Sequence, residues 1–383
     1  MPHYKFDQIA YNITDKKMPE SGDEKMYIGL EHLDSGSLKV TRWGSEVELK
    51  GQKLVMKKGD VLFGRRNTYL RRAAIAPHDG IFSAHGMIFR PKTEVIDSEY
   101  FPFFISSNYF MDAAIRISVG SLSPTVNWKT LKELEFDIPS LDEQRKNARM
   151  LAAINETKEA YQELLLQTDN LVKSQFIEMF GELGKDQKGW GLTTLGECCE
   201  LNPKRPRNID DELKVSFVPM PAISEDGKID CSNIKTYKEV RKGFTYFAEN
   251  DVLFAKITPC MENGKGAVAK GLSGGIGSGS TEFHVLRPIE GKSNPYWLYI
   301  ITMFKSFRVG ARKVMTGTGG QLRVPVGYLR DFPISLPPIS LQDSFEGFVH
   351  QSDKSKFELK EAIKSCDALM KAILFTNLEE KED

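Results

Sequence analysis

The 383 residues are enough for two or three domains with real cores, and 40% apolar with 10% aromatic residues is the composition of a folded globular protein, not a disordered or fibrous one. No apolar run approaches the roughly 18 residues of a membrane-spanning helix, and the opening MPHYKFDQIAYN lacks a basic start followed by an apolar stretch, so neither a membrane span nor a secretory leader is expected. Net charge is zero, the five cysteines cannot all pair and no C-x-x-C occurs, so the expected setting is a reducing cytoplasm with buried thiols, without metal or redox chemistry.

Residues 1–140 form a first globular segment of net charge +1. Short β-rich runs such as Val61–Phe63 and Met87–Phe89 alternate with Gly, Pro and Asp turns, and a helix is predicted over Glu99–Ile117. From Leu141 to Phe180 the chain holds no Gly and no Pro. Met150, Ile154, Thr157, Tyr161, Leu164, Thr168 and Leu171 follow a three-four spacing, which puts one narrow stripe on a helix of about 60 Å. Residues 190–338 are a second globular segment, with a predicted helix at Pro295–Val314. The stretch 190–340 carries a net charge of +5, a mild pointer to a polyanionic partner. The spacing then recurs from Leu341 to about Phe375, through Phe345, Val349, Ser352, Lys356, Leu359, Ile363, Cys366, Met370 and Ile373. Two such stripes in one chain predict an intramolecular coiled coil whose polar seam positions help set its register.

The two globular segments are alike in order. Phe6-Asp-Gln-Ile9 answers Leu195-Gly-Glu-Cys198, Gly59–Phe63 answers Asn250–Phe254, and Met87-Ile-Phe-Arg-Pro91 answers Val285-Leu-Arg-Pro288. Each has a Gly/Ser/Thr-rich loop, Val119–Asn127 and Thr316–Arg323, before a short helix and an extended exit. The offset grows from 189 to 198 residues, as insertions in one copy would produce. This is a duplication of half the chain, and the mixture of short strands and helices without regular βαβ units predicts an α+β fold.

No catalytic constellation emerges. A P-loop is missing, since Gly271–Ser280 lacks its lysine and is expected to be a mobile surface loop. There is no H-E-x-x-H, no zinc spacing among six histidines and no Asn-Pro-Pro-aromatic tetrapeptide of the amino-methyltransferase kind. Glu358-Leu-Lys360 falls in the helical pattern, where it reads as a solvated charge pair. The basic clusters say more. Arg65, Arg66, Asn67, Tyr69, Arg71 and Arg72 pack four arginines and no acid into nine residues after a strand. Arg can grip phosphate or read guanine through two hydrogen bonds, and Asn can read adenine in the same way. The alternative is a solvated surface loop. Lys256, Thr258, Asn263 and Lys265 occupy the matching place in the second copy, with Glu262 among them. Lys204, Arg205 and Arg207 form a further basic step that suits either a phosphate contact or a plain loop. Ser83 and His85 precede the first Arg-Pro strand, and Ser278, Ser280 and Thr281 the second; such hydroxyls also serve as turn-makers. Ser121, Thr125 and Asn127 in the first Gly/Ser/Thr loop, with Gln321 and Arg323 in the second, complete the set of candidate DNA contacts.

The order globule, helix, globule, helix resembles the specificity (S) subunit of type I restriction–modification enzymes. Pro139, Leu141 and Gln144, their echo Pro338-Ile-Ser-Leu-Gln342, and Ser280-Thr-Glu-Phe-His-Val-Leu-Arg-Pro288 carry the resemblance over nearly the whole chain. It implies two α+β target-recognition domains, at 1–140 and 190–338, each reading half of an interrupted duplex DNA site. It implies a long spacer helix with linker at 141–189 and a second helix with a C-terminal tail at 339–383, together an antiparallel coiled coil that sets the spacing and docks methyltransferase subunits, two being expected. It further implies no catalysis by this chain, no cofactor and no metal, and leaves room for a nuclease/translocase subunit. The rival readings are a stand-alone DNA-modifying enzyme, which the purified chain would reveal by methylating or cutting DNA, and a coiled-coil protein adaptor, which would not bind duplex DNA.

Overall fold

A computed structural model describes residues 2–375, so the tail expected at the C-terminus, 376–383, lies outside the described residues. The chain divides into two compact units, residues 2–163 with 360–375, and Leu164–Leu359. Each is a helix–sheet–sheet stack of α+β type, and each contains part of both long helices.

In the first unit an antiparallel sheet runs in the order Ala10–Ile13, Met87–Pro91, Val61–Phe63, Ala73–Ile75. Val61, Phe63 and Phe89 face the helical side, where Phe6, Phe101, Phe104, Phe110 and Phe136 complete an aromatic core. Leu62, Ala74 and Ile88 face the other way, onto a second sheet through Ile28, Leu54, Met56 and Phe82. A strand buried on both faces reads as continuous rather than alternating hydrophobicity, as Val61–Phe63 does. The second sheet runs Lys16–Lys17, Lys53–Met56, Gly80–Phe82, Tyr27–Ile28, its last pair parallel. A two-stranded ribbon, His3–Lys5 with Glu135–Asp137, joins the two ends of the globule.

The second unit repeats this plan. Its first sheet runs Cys199–Leu201, Phe283–Pro288, Val252–Ala255, Gly266–Val268, with Val252 and Phe254 toward the helices and Leu253 toward the second sheet. The likeness extends to individual bonds. Asp60, 4% exposed, holds Arg90 through two bonds of 2.5 and 3.0 Å, and Asp251, 1% exposed, holds Arg287 through two of 2.8 and 2.7 Å. Each aspartate also accepts the backbone N–H three residues before it, Lys57 at 2.8 Å and Ala248 at 2.7 Å. These pairs lie behind the Arg-Pro signature read from the sequence.

The run Gly271–Ser280 is the surface turn expected only in its first half, where Gly271, Gly274 and Gly275 are exposed. Ile276–Gly279 is an inner strand, parallel to Lys214–Val218 on one side and antiparallel to Thr245–Ala248 on the other. Its glycines answer a steric demand: a Cβ on Gly277 would collide with the Phe247 ring, and one on Gly279 with the Val218 carbonyl. The two helices predicted near residues 100 and 300 are each broken in two. Phe101–Ser106 and Asn108–Arg116 are separated by Ser107, whose extended backbone starts a new turn and whose Oγ accepts the Phe110 N–H at 3.2 Å. Pro295–Met303 and Lys305–Lys313 break likewise at Phe304.

The long helices span Leu141–Phe180, as predicted, and Ile339–Phe375, two residues earlier than predicted. In each unit they run antiparallel. Lys158 Nζ meets Asp367 at 2.7 Å in the first unit, while in the second Lys356 meets Asp169 at 3.2 Å and Phe345 packs on Phe180 at 5.3 Å between ring centres. The stripe predicted on the second helix is the one that faces inward. The stripe predicted on the first is borne out at alternate positions only: Ile154, Tyr161 and Thr168 are half-buried, whereas Met150, Thr157, Leu164 and Leu171 are exposed, and the inward positions there are Leu151, Lys158, Leu165 and Val172, a seven-residue repeat that begins at Gln144 and has polar members. Among the described residues no helix is long and apolar enough to cross a membrane.

Both long helices are pinned at their start by a buried glutamine. Gln144 Oε1 accepts the Asp97 N–H at 2.6 Å, and its Nε2 donates to the carbonyls of Val95 and Pro139 at 3.0 and 2.9 Å. Gln342 does the same with Asn294 N–H, Lys292 O and Pro337 O at 2.9, 3.0 and 2.9 Å. The glutamine of each Pro-x-Leu-x-x-Gln or related start therefore clamps a helix to its own globule.

Candidate nucleic-acid interface

Each unit brings two of the loops singled out in the sequence into direct contact. In the first, the arginine loop pairs with the Gly/Ser/Thr loop. Asn67 N–H donates to Pro124 O at 2.7 Å, Val126 N–H to Arg65 O at 3.0 Å, and Arg66 bridges Thr125. In the second, Thr258 N–H donates to Leu322 O at 3.0 Å, Val324 N–H to Lys256 O at 2.8 Å, and Ile257 bridges Arg323. The bond pattern is the same, so Lys256 is the counterpart of Arg65, Thr258 of Asn67 and Arg323 of Thr125. A third segment matches too. Ser83 N–H donates to Ile28 O and its hydroxyl accepts the His85 N–H; Ser280 N–H donates to Val218 O and its hydroxyl accepts the Glu282 N–H. The two units thus share one loop platform carrying different side chains.

On the first platform Arg66 is exposed and donates only a long bond, 3.4 Å, to the Ser123 hydroxyl. Tyr69 is 56% exposed. Asn67 and Arg71 both adopt left-handed backbone, at φ of 55° and 49°, which Asn tolerates better than Arg. Arg71 is committed, bound to Asp112 and donating to Asn108 Oδ1 at 3.1 Å. Arg65 and Arg72 are half-buried, and Arg65 Nε and Asn67 Oδ1 are buried without a partner among the described residues. Ser121, Asn127 and His85 are exposed and Thr125 is half-buried, whereas Ser83 is buried. The Ser83–His85 turn sits beside the arginine loop because Met87, just after it, pairs with Phe63, just before that loop.

On the second platform Arg323 is clamped by Glu282 through bonds of 2.8 to 3.2 Å, which draw the Glu282 carboxyl below its ordinary pKa. Glu282 is a residue sequence reasoning missed, although it lies inside the quoted Ser-Thr-Glu-Phe run. Burial pushes the Lys256 ammonium below its ordinary pKa, helped by Arg323 and opposed by Glu282. Lys256 N–H donates to Glu282 O at 2.9 Å, so the three charges share one corner. Gln321 is exposed next to the Gly319-Gly320 turn of a tight hairpin, Thr316–Thr318 with Gln321–Arg323, where a loose loop was expected. Thr258 is half-buried, Asn263 and Thr281 are exposed, and Lys265 Nζ reaches Met220 O at 3.4 Å. Two candidates fall elsewhere. Ser278 is 1% exposed inside the second sheet, so its hydroxyl is not presented at the surface. Arg205 lies over Tyr237 and Tyr246 at 5.6 and 6.0 Å and donates to Phe244 O at 3.2 Å, against that same sheet, while its neighbours Lys204 and Arg207 are exposed. Sequence reasoning also passed over Val119 and Leu122, large apolar residues left in water on the first platform.

The arrangement is one of exposed Arg, Asn, Gln and hydroxyl groups, with half-buried Lys, on paired loops above a sheet. It can grip phosphates and present hydrogen-bonding groups to base edges. A family profile described as the type I restriction modification DNA specificity domain matches residues 11–166 and 187–365. The chain belongs to this family. The specificity subunits of the type I restriction enzymes EcoEI and EcoAI of Escherichia coli are 43% and 44% identical to it over 162 and 158 residues, or 42% and 40% of this chain. The matched stretch spans only 27% and 26% of those relatives' length. Two solved structures share the fold. A chain from work on complex assembly and conformational transition of the type I R-M system aligns over 98% of this chain and 97% of its own, at 16% identity and a TM-score of 0.56. The type I restriction-modification S subunit from M. genitalium aligns over 98% and 95%, at 13% identity and 0.52.

Proposed function

We propose that this chain is the DNA sequence-recognition subunit of a type I restriction–modification complex, each unit reading one half of an interrupted site. The observation that carries this reading is the loop platform built twice with the same backbone bonds and different side chains. Conserving the frame while changing the reading groups is what two different half-sites require. Family membership and the basic excess in 190–340 support duplex DNA as the partner.

In this reading the target-recognition domains are 1–140 and 190–338, and the helices at 141–189 and 339–383 set the gap between half-sites and dock two methyltransferase subunits. Methyl transfer belongs to those subunits, and cleavage to a nuclease/translocase subunit where one joins. The complex works in the cytoplasm. The test is to co-express the chain with its methyltransferase and map methylated positions across a genome. The expected result is a two-part motif with unread bases between. Replacing 1–140 by the equivalent domain of a relative should then change one half alone. A continuous motif, or both halves changing together, refutes two separate readers.

A further inference from the structure

The loop Val119–Asn127 ends in a tight turn that holds apolar side chains in water. Val119 and Thr125 exchange both backbone bonds, at 3.1 and 3.0 Å, which closes the turn and leaves Leu122 near its apex. Gly120, at φ +118°, supplies a conformation that a side chain would resist. Val119 is 71% exposed and Leu122 95%. The base of the turn is held, because Thr125 bridges Arg66 and Pro124 O accepts the Asn67 N–H.

A lone exposed leucine on a protein surface ordinarily needs no explanation. This one stands on the first platform, and the chain around it is basic: Arg66 at its base, Arg116 in the helix leading in, Lys129 in the helix leading out. That charge suits a polyanion and not an apolar protein face. By the matched pairing, Thr316 opposite Arg323 takes the place of Val119 opposite Thr125, and the Gly319-Gly320 turn takes the place of Leu122, so the exposed apolar pair belongs to one reader only.

We infer that Leu122, backed by Val119, packs against the C5-methyl group of a thymine in the major groove of the half-site read by the first unit. This rests on the proposed function. The thymine methyl is the apolar group that base pairs present in that groove, so it is the feature an apolar apex can discriminate. The second platform, with glycine there and Gln321 and Arg323 nearby, reads by hydrogen bonds alone.

The test uses the full chain with its methyltransferase subunits and a duplex carrying the motif mapped for the wild-type complex. Each thymine of the first half is replaced in turn by deoxyuridine, which removes only the methyl. At one position wild-type binding should weaken about fourfold, the size of one buried methyl group. Leu122→Ala should bind thymine and deoxyuridine duplexes equally, and Leu122→Met should keep the preference. Salt dependence should be unchanged in both variants, because an apolar contact releases no counterions. Leu122 is exposed, so both variants fold, and the second half of the motif is the internal control. A first half without thymine, a wild type indifferent to every deoxyuridine, or equal sensitivity in wild type and Leu122→Ala overturns the inference while the two-part motif stands. A wild-type complex that methylates no two-part motif removes the parent reading, and this inference with it.

Discussion

Replacing either clamping glutamine by methionine should loosen one helix start from its globule, by an amount that differs between the units. Methionine keeps the length and helix preference of glutamine but cannot hydrogen-bond as an amide does. Both glutamines are fully buried, so what each substitution orphans is one backbone N–H and two carbonyls. A buried group left without a partner costs about 1 kcal/mol or more, while one that water can reach costs little. Around Gln342 the bonds to Asn294 and Pro337 are buried; around Gln144 only the bond to Pro139 is. Gln342→Met should therefore cost its unit about 3 kcal/mol and Gln144→Met about 2 kcal/mol. Two units do not justify a single two-state transition, so the assay is native-state hydrogen exchange followed peptide by peptide. Protection should fall in the segments 292–298 and 337–345 for one variant, and 95–101 and 139–148 for the other. Losses below about 0.5 kcal/mol, or a larger loss in the first unit than in the second, would refute the clamp.

Arg66→Ala should weaken duplex binding by about 1–3 kcal/mol if the side chain reads a base, or lower the salt slope by about one if it holds a phosphate, whereas Arg71→Ala should matter less because Asp112 already holds that guanidinium. Titrations at several salt concentrations decide this, and unchanged affinity and slope after replacing all four arginines of the loop would sink the assignment. Burial holds His284 below its ordinary pKa of 6.5, with neutral Nε2–H donating to Val324 O at 2.8 Å and Nδ1 accepting from Asn202 at 3.2 Å. Its unfolded form takes a proton more readily, so the second unit should lose stability as pH falls below about 6.5, and His284→Met should flatten that loss in denaturation curves; parallel curves would contradict it. Met87 occupies the matching site of the first unit, which should lack this component. Adding one heptad to both long helices should keep the seam in register and lengthen each by about 10 Å, close to three base pairs. The lengthened protein should prefer a wider gap or lose activity with both half-sites unchanged; full affinity for the original gap would show that the helices do not set it.

Features carried by local chemistry were legible in the sequence. A 40-residue stretch without Gly or Pro and with a three-four apolar spacing reads as a long helix, because nothing in it breaks the ladder. The duplication showed because Asp60 with Arg90, Asp251 with Arg287, and the two glutamines each need one residue type at one place. The second helix's stripe was legible because most of its apolar residues share one face, Phe357 and Leu369 excepted. The first helix carries leucines on several faces, Leu164, Leu165 and Leu166 in succession, and which face is inward depends on the helix it meets, so Met150, Thr157, Leu164 and Leu171 of the predicted stripe each fall one residue short of the seam while Ile154, Tyr161 and Thr168 lie on it. The second half of the Gly-rich run misled for a similar reason: Gly277 and Gly279 look like loop until Phe247 and the Val218 carbonyl occupy the space their side chains would need. The platforms were out of reach altogether. Arg65 and Val126 are 61 residues apart in sequence, Lys256 and Val324 are 68, and it is tertiary backbone bonds that bring them together.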